Sequence, residues 1–205
     1  MSKNEIRFRV VLPSILLVCL SPSATAARDV TLVKGDKAEV TIYSPLETVS
    51  PKGEAKSNPD RARLRASVSD LALYLEKIGG AKIEIVHGKA PARPKTIPIL
   101  IGDLGAERFG QPEKKSRFKQ GYRLVISSKA IALIGESDEA TSYAIYELLD
   151  RLGCRWFMPS DMGEVIPSMQ TIRLPQTDVS MIPPMLYRKI WYADANYIRR
   201  NRLGG

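Results

Sequence analysis

Apolar residues repeat at helical spacing after residue 137, and they predict an amphipathic helix there. The repeat is formed by Ile145, Leu148, Leu149 and Leu152. Positions i, i+3, i+4 and i+7 lie on one face of a helix, so this face must contact a sheet or another helix. Ser137 is a typical N-cap, and Gly153 supplies the left-handed residue that commonly ends a helix. The pattern therefore predicts a helix between these two residues.

A second amphipathic helix is predicted earlier in the chain. Asn58 is a good N-cap, Pro59 suits the first helical position, and Gly79-Gly80 marks the end. The apolar stripe between them is formed by Leu64, Val68, Leu71, Leu75 and Ile78. The chain thus has two long helices, each with one face to bury.

Short apolar or alternating runs predict the strands of a sheet. These runs are residues 30–33, 38–43, 82–86, 97–101, 121–126 and 131–134. The first two favour a hairpin or two sheet-edge strands, and the last two favour a hairpin that leads directly into the helix after Ser137. Pro98 lacks a backbone N–H and therefore argues for an edge strand or a bulge. Residues 101–105 are interpreted as a strand-to-loop turn and 107–120 as a solvated loop.

Together these elements predict an α/β fold of the α+β two-layer type, a mixed β-sheet with both main helices on one face. Residues 168–184 are rich in proline and are interpreted as a linker. Residues 185–192 are apolar enough for a buried strand, and residues 193–203 suit a basic helix. Because one strand and one helix cannot bury their own faces, we expect residues 185–205 to begin a truncated (β/α)8 barrel in a longer protein.

The first 27 residues have the three parts of a secretory signal peptide. Its basic residues are Lys3, Arg7 and Arg9. An apolar run at residues 10–20 follows, and Ala24-Thr25-Ala26 forms the cleavage motif. The sequence therefore predicts cleavage after Ala26 or Ala27, a secreted or periplasmic protein, and no membrane attachment after cleavage.

Composition and charge leave several binding partners open. The chain has 205 residues, of which 44% are hydrophobic and 26% charged, which is typical of a globular domain with the start of another. Cleavage of the leader lowers the net charge from +9 to about +7 and leaves Cys154 as the only cysteine, so no internal disulfide can form. A basic surface suits acidic polysaccharide, a uronate, nucleic acid or an anionic surface. Nucleic acid is not predicted, because no recognised motif supports it.

The sequence predicts no cofactor, no metal site and no catalytic residue. His87 is the single histidine and has no second histidine or nearby cysteine to complete a metal set. Residues 101–105 contain two glycines after a strand but no Gly-Lys-Ser/Thr, so a phosphate-binding loop is rejected. Two acidic pairs are better explained by helix capping and loop solvation than by acid–base chemistry. They are Asp138/Glu139 and Asp161/Glu164.

Four segments together resemble the small α/β domain that precedes the catalytic barrel in several glycoside hydrolases. They are residues 121–126, 131–135, 143–146 and 153–157. The last, Gly-Cys-Arg-Trp-Phe, is the most specific. Similar domains occur in α-glucuronidases of family 67, in β-N-acetylhexosaminidases of family 20 and in uncharacterised secreted bacterial proteins, and the last group matches best. The resemblance covers residues 30–167, so an N-terminal accessory domain is predicted for residues 28–167.

The resemblance also implies three substrate-binding residues. In family 67 enzymes the matching Arg-Trp reaches the edge of the sugar pocket, which implies that Arg155 contacts a carboxylate or hydroxyl group and that Trp156 is an apolar platform for a pyranose ring. Arg188 is similar to an arginine that holds substrate hydroxyls on the first barrel strand of family 20 enzymes. The alternatives are that Trp156 fills a domain interface, that Arg155 pairs locally, and that Arg188 is exposed to solvent.

The predicted function is therefore that of a non-catalytic N-terminal domain in a secreted glycoside-hydrolase-like protein. Its role in carbohydrate metabolism, on polysaccharide or uronate, would be to contact a catalytic barrel and shape its sugar pocket. The parent enzyme would be α-glucuronidase-like or hexosaminidase-like, with its catalytic carboxylates on the barrel. The alternative is a free-standing secreted module that binds acidic polysaccharide. The sugar, the anomeric outcome and the oligomeric state stay open.

Overall fold

The structure, a computed structural model, describes residues 29–47, 49 and 52–204. The predicted signal peptide, residues 1–27, lies outside the described residues, so export stays a prediction. Within the described part of the chain, no helix is both long and apolar enough to cross a membrane.

The secondary structure consists of short strands and helices of very different length. The strands are β1 (Asp29–Lys34), β2 (Lys37–Ala38), β3 (Val40–Ser44), β4 (Ile85–His87), β5 (Ile97–Ile101), β6 (Tyr122–Ile126), β7 (Ile131–Gly135), β8 (Arg155–Trp156), β9 (Glu164–Val165), β10 (Thr171–Pro175) and β11 (Thr177–Met181). The helices are α1 (Glu54–Ser57), α2 (Pro59–Gly79), α3 (Asp103–Phe109), α4 (Asp138–Arg151) and α5 (Ala195–Arg200).

The strands form a central mixed sheet in the order β11-β6-β7-β5-β3-β4. The strands from β7 to β4 run parallel to one another, whereas β6 and β11 are antiparallel to their neighbours. A smaller antiparallel sheet has the order β10-β1-β2, and β8 pairs with β9. The predicted mixed α/β fold is confirmed, and the described strands close no barrel.

The longest helix, α2, begins and ends where its sequence predicts. The Asn58 side chain accepts a hydrogen bond from the Arg61 N–H at 3.1 Å, which satisfies one of the free donors at the helix start. Gly80 ends the helix with a φ of 77°. All five residues of the predicted stripe are buried. They lie in the main hydrophobic core, on one face of the central sheet.

Helix α4 packs against α2 in the same core. Its cap is confirmed, since the Ser137 hydroxyl accepts from the Ala140 N–H at 3.1 Å. The hydroxyls of Ser67 and Ser142 lie 2.6 Å apart between the two helices, and these small side chains allow the helices to approach closely. At Gly135 a Cβ atom would lie 2.1 Å from the Thr141 nitrogen, so only glycine fits between β7 and α4.

The other face of the central sheet is covered by α3, which the sequence analysis did not predict. Residues 103–109 were interpreted as turn and loop, and that interpretation is wrong. Leu104, Ala106 and Phe109 pack on a second apolar cluster of the sheet. Gly105 permits this contact because a Cβ there would lie 2.9 Å from the Ile134 side chain. A glycine that indicated a turn is instead needed for close helix–sheet contact.

The predicted edge position of residues 97–101 is also wrong, because β5 lies inside the sheet between β3 and β7. The Ile97 N–H donates to the Glu39 carbonyl on the β3 side at 2.8 Å. Successive N–H groups of a strand point to opposite sides, so the missing N–H of Pro98 faces β7. Pairing with β7 begins only at Ile99, and no ladder hydrogen bond is lost.

The C-terminal part differs from the prediction in two places. Residues 168–184, interpreted as a linker, contain β10 and β11, which pair with β1 and β6. Residues 185–192 form no strand, although Arg188 and Gly204 make an isolated backbone bridge. The predicted basic helix is present as α5. The boundaries of the accessory domain and of a barrel domain stay predictions.

Candidate functional site

Two arginines of α5 hold this helix against the core through a buried carboxylate. The Asp70 Oδ2 atom accepts from the Tyr146 hydroxyl at 2.8 Å, from Arg199 Nη2 at 3.0 Å and from Arg200 Nε at 3.2 Å. The Tyr146 hydroxyl in turn accepts from Arg199 Nε at 2.8 Å. Because hydrogen bonds to charged groups depend on geometry, this arrangement fixes the position of α5 relative to α2 and α4.

A second carboxylate, Glu164, continues this network to β9. It accepts from Arg200 Nη1 at 2.8 Å, from Lys77 Nζ at 3.2 Å and from the Tyr74 hydroxyl. Burial opposes ionisation of Glu164, but the hydrogen bonds from Tyr74 and Lys77 and the charges of Lys77 and Arg200 outweigh it and lower its pKa. Burial, together with the bond to Glu164, raises the pKa of Tyr74. Glu164 is therefore held as a carboxylate and Tyr74 as a neutral donor.

Trp156 lies inside this network and is only 6% exposed. Its Nε1 donates to the Tyr74 hydroxyl at 3.1 Å. The rings of Tyr74 and Tyr146 meet the indole nearly at right angles, with centroids 5.1 and 5.7 Å away. Such edge-to-face contacts stabilise aromatic clusters. The indole is therefore packed inside this aromatic cluster.

One side of Trp156 lines a depression of about 180 Å³, which we name the Trp156 depression. Its other main lining residues are Met158, Asp161, Asp194, Tyr197 and Arg200. Carboxylate and guanidinium groups hydrogen-bond hydroxyls, and aromatic rings pack on C–H faces, so this combination suits a sugar ring. The Asp194 carboxylate also caps α5, accepting from the Asn196 and Tyr197 N–H groups at 2.8 and 3.0 Å. These backbone hydrogen bonds lower the pKa of Asp194.

Arg155 does not line the Trp156 depression. Its Nη1 lies 2.9 Å from Asp150 Oδ1 and donates to the Asp150 carbonyl at 2.8 Å. Arg155 and Trp156 are consecutive in β8, and consecutive side chains of a strand point to opposite faces. The structure therefore separates the two side chains that the sequence analysis placed together at a pocket edge.

Arg188 lies in a different pocket, of about 190 Å³, whose lining includes Tyr122, Tyr143 and Glu147. Its Nε donates to the Arg202 carbonyl at 3.0 Å, and its guanidinium lies 5.1 Å from the Tyr143 ring centroid. Its Nη2 is buried and has no hydrogen-bond partner among the described residues. The three predicted site residues are thus distributed over three separate surroundings.

The sequence analysis missed Arg200, Asp194 and Tyr197 as residues of the Trp156 depression. It predicted a basic helix at residues 193–203 but no partners for its arginines. Arg202 pairs with Glu147 at 2.6 Å, and Arg199 and Arg200 reach Asp70. The Asp194 cap was the available local signal, since aspartate before a helix is a typical N-cap. The pairing with Asp70 had no signal in spacing, because about 130 residues separate the partners.

Metal and thiol chemistry receive no support from the described residues. Among them, no group of three or more histidine, cysteine, aspartate or glutamate side chains is placed to hold a metal ion. Burial raises the pKa of Cys154 to about 11, which is the behaviour of an unreactive buried thiol.

Comparison with known proteins supports the fold. No family model matches the chain, and no curated protein matches it. A solved family GH115 4-O-methyl-α-glucuronidase with specificity for decorated arabinogalactans is similar with a TM-score of 0.56 and 16% identity. An inactive D437A mutant of a GH20 exo-β-N-acetylglucosaminidase from Vibrio harveyi is more distant, with a TM-score of 0.39 and 14% identity.

These similarities cover most of this chain but a small part of each enzyme. They span 85% and 78% of this chain, and 25% and 18% of the GH115 and GH20 chains. Because the identity is low, the likeness to the GH115 chain shows a shared fold. The specific assignment to family 67 stays a prediction.

Proposed function

We propose that this chain is a non-catalytic accessory domain of an exported glycoside-hydrolase-like protein, where it packs against a catalytic barrel and shapes one rim of its sugar pocket. The fold similarity to part of a GH115 enzyme supports the class of parent protein. That enzyme is a 4-O-methyl-α-glucuronidase with specificity for decorated arabinogalactans, so a uronate-containing substrate is the first to test.

The observation that carries this proposal is a run of large apolar side chains exposed in residues 182–192, which we name the apolar segment. Met185 is 63% exposed, Trp191 84% and Tyr192 99%. The other exposed members are Ile182, Leu186, Tyr187 and Ile190. A monomeric soluble protein rarely exposes so many apolar side chains together, and such surfaces mark interfaces. A large partner domain is the occupant that fits a surface of this length.

The Trp156 depression adjoins this surface. Asp194 follows the apolar segment by two residues and lines the depression together with Tyr197, whose hydroxyl donates to the Phe157 carbonyl at 3.3 Å. A domain that covers the apolar segment would therefore meet the rim of the depression. Trp156 and Arg200 would contribute to that rim. Arg188 would lie under the apolar segment, and Arg155, which does not line the depression, would lie outside the rim.

The carboxylates of the depression do not form a catalytic pair. Glycoside hydrolysis needs two carboxyl groups across the scissile bond, one of them free to exchange a proton. The Asp194 Oδ1 atom caps α5, and these backbone hydrogen bonds lower the pKa of Asp194 and favour its ionised form. Asp161 is the only other carboxylate of the lining. This supports a domain that positions sugar while the catalytic carboxylates come from the partner.

The test measures hydrolysis of 4-nitrophenyl glycosides, including a glucuronide, by the 205-residue chain and by the same chain extended through whatever follows in its reading frame. We expect hydrolysis by the extended protein alone. In the extended protein, Tyr187→Ser with Trp191→Ser should lower the thermal midpoint. Val49→Ser, at an exposed valine outside the apolar segment, is the control and should leave the thermal midpoint unchanged. Hydrolysis by the 205-residue chain would overturn the proposal.

A free-standing module that binds acidic polysaccharide is the second candidate. Four exposed cations without ion-pair partners among the described residues favour it, namely Lys114, Lys115, Arg117 and Lys119. The same pair of proteins separates the two. If the 205-residue chain is folded and binds acidic glycan, and neither protein hydrolyses the glycosides, the module explains the chain and the accessory domain does not.

A further inference from the structure

Four cationic side chains are concentrated in residues 114–119, which we name the basic loop. They are Lys114, Lys115, Arg117 and Lys119. All four are exposed, and none has a carboxylate partner among the described residues. Most arginines elsewhere in the described part are used internally, for example Arg63 with Glu139 at 3.1 Å and Arg123 with Asp178 at 2.8 Å. The basic loop therefore presents four cations that are not held in ion pairs by the described residues.

The backbone of the basic loop is held in place by hydrogen bonds. The Glu136 Oε2 atom accepts from the N–H groups of Ser116 and Gly121, each at 2.8 Å. The Lys114 N–H donates to the Ser180 hydroxyl at 3.1 Å, and the Ser137 hydroxyl donates to the Lys119 carbonyl at 2.9 Å. Contacts at both ends order the loop before any ligand arrives, which lowers the entropy cost of binding.

An exposed aromatic ring lies among these charges. Phe118 is 53% exposed, and the Arg117 guanidinium lies 5.7 Å from its ring centroid. A cation beside an aromatic face combines attraction for an anionic group with an apolar surface for a ring. This pairing suits a polymer that carries both, more than it suits isolated phosphate or a simple anion.

We propose that the basic loop binds a carboxylate-bearing polysaccharide, with the four cations contacting uronate carboxylates and Phe118 contacting a sugar ring. The charge and the ordered backbone of the loop indicate a binding site for an anionic ligand. The choice of polysaccharide as this ligand rests on the proposed carbohydrate function. Gln120, directly after the loop, donates to the Leu186 carbonyl at 3.4 Å and accepts from Arg188 at 3.2 Å. The basic loop is thus continuous with the apolar segment, and a polymer held there lies beside the proposed barrel contact.

The experiment measures binding of the chain to polygalacturonate by affinity electrophoresis and by calorimetry at two salt concentrations. The variant Lys114→Gln/Lys115→Gln/Arg117→Gln removes three charges of the loop. The matched control Lys82→Gln/Arg93→Gln/Lys95→Gln removes the same residue types. These are also exposed and without ion-pair partners among the described residues, but they lie near the β4 edge of the sheet. We expect about tenfold weaker binding for the loop variant, about 1.4 kcal/mol, and less than about twofold for the control.

Two further comparisons identify the ligand. Phe118→Ala should weaken polygalacturonate binding about threefold while leaving the salt dependence unchanged, because it removes contact area and no charge. Neutral dextran should not bind. The inference is overturned if polygalacturonate does not bind, or if the control triple weakens binding as much as the loop triple. It is also overturned if single-stranded DNA binds as tightly as polygalacturonate and loses the same affinity in the loop triple. None of these outcomes affects the hydrolysis test, so failure here is distinct from failure of the proposed function.

Discussion

The helix–sheet core and the C-terminal residues 182–204 bury opposite kinds of side chain. In the core, apolar stripes of α2 and α4 face the sheet, and a few small polar side chains such as Ser67 and Ser142 are buried between the helices. In the C-terminal part, Arg199 and Arg200 point inward to carboxylates while Trp191 and Tyr192 point outward. The core buries its apolar side chains within the domain. The C-terminal part exposes large apolar side chains of the kind that a monomeric protein normally buries.

The two regions therefore contribute differently to the stability of the protein. Apolar burial stabilises in proportion to the area removed from water. Buried ion pairs have little net effect, because the cost of dehydrating the charges offsets their attraction, and they act chiefly on orientation. We therefore expect core substitutions to change global stability and substitutions at the α5 contacts to change mainly the local attachment of that helix.

The largest effect is expected at Leu148, which is fully buried in α4. Leu148→Ala removes buried methyl groups and leaves a cavity, so it should lower the free energy of unfolding by about 3 kcal/mol. Urea denaturation followed by far-UV circular dichroism measures this loss. Leu186→Ala, in the apolar segment, is the control and should change the free energy by less than about 0.5 kcal/mol. Equal losses at the two leucines would contradict the distinction between the regions.

An intermediate effect is expected at Asp70, which holds α5. Asp70→Asn removes the charge shared by Arg199 and Arg200 and should weaken the attachment of α5 by about 2 kcal/mol. Trypsin cleavage in α5, which contains both arginines, should then become at least about tenfold faster, since cleavage follows the population of the opened state. Glu76→Gln, at an exposed carboxylate on the same helix, should leave the cleavage rate unchanged. An unchanged rate in the Asp70 variant would show that α5 is held by other contacts.

The smallest effect is a pH dependence of the same attachment. Because the folded-state pKa of Glu164 is lowered, its stabilising contribution is fully present above its unfolded value of about 4.3 and is lost as pH falls through the folded value. The wavelength of maximum fluorescence emission of Trp156, measured in a Trp191→Phe background, should therefore change below about pH 4. Arg123 also lowers the pKa of Asp178, which lies on β11 in a different sheet from Glu164, so a reporter beside Glu164 is required. Glu164→Gln should remove the shift.

Local patterns were sufficient to predict the two main helices. Their apolar stripes and the caps at Asn58 and Ser137 depend on residues within one or two turns, and both are confirmed. The buried polar residues of α4 were not predicted. Ser142 meets Ser67 and Tyr146 meets Asp70, and each pair is about 75 residues apart in the chain.

The same limit explains the candidate site. Trp156 was singled out by its motif, but its neighbours Tyr74 and Arg200 lie on α2 and α5, far from it in sequence. Arg155 was expected beside it, and strand alternation separated the two side chains. The sequence therefore identified one residue of the Trp156 depression, and tertiary packing supplied the others.

The pairing of β1 with β10 has a consequence for how the chain folds. Its partners lie about 140 residues apart, so closing this loop carries a large entropy cost and a high contact order. The hairpin β6–β7 and the helix α4 are contiguous and can form from local contacts. During synthesis, β1 can pair with β2 at once, but its second strand partner is absent until residues 171–175 have been made. We therefore expect the three-stranded sheet to be the last part to form.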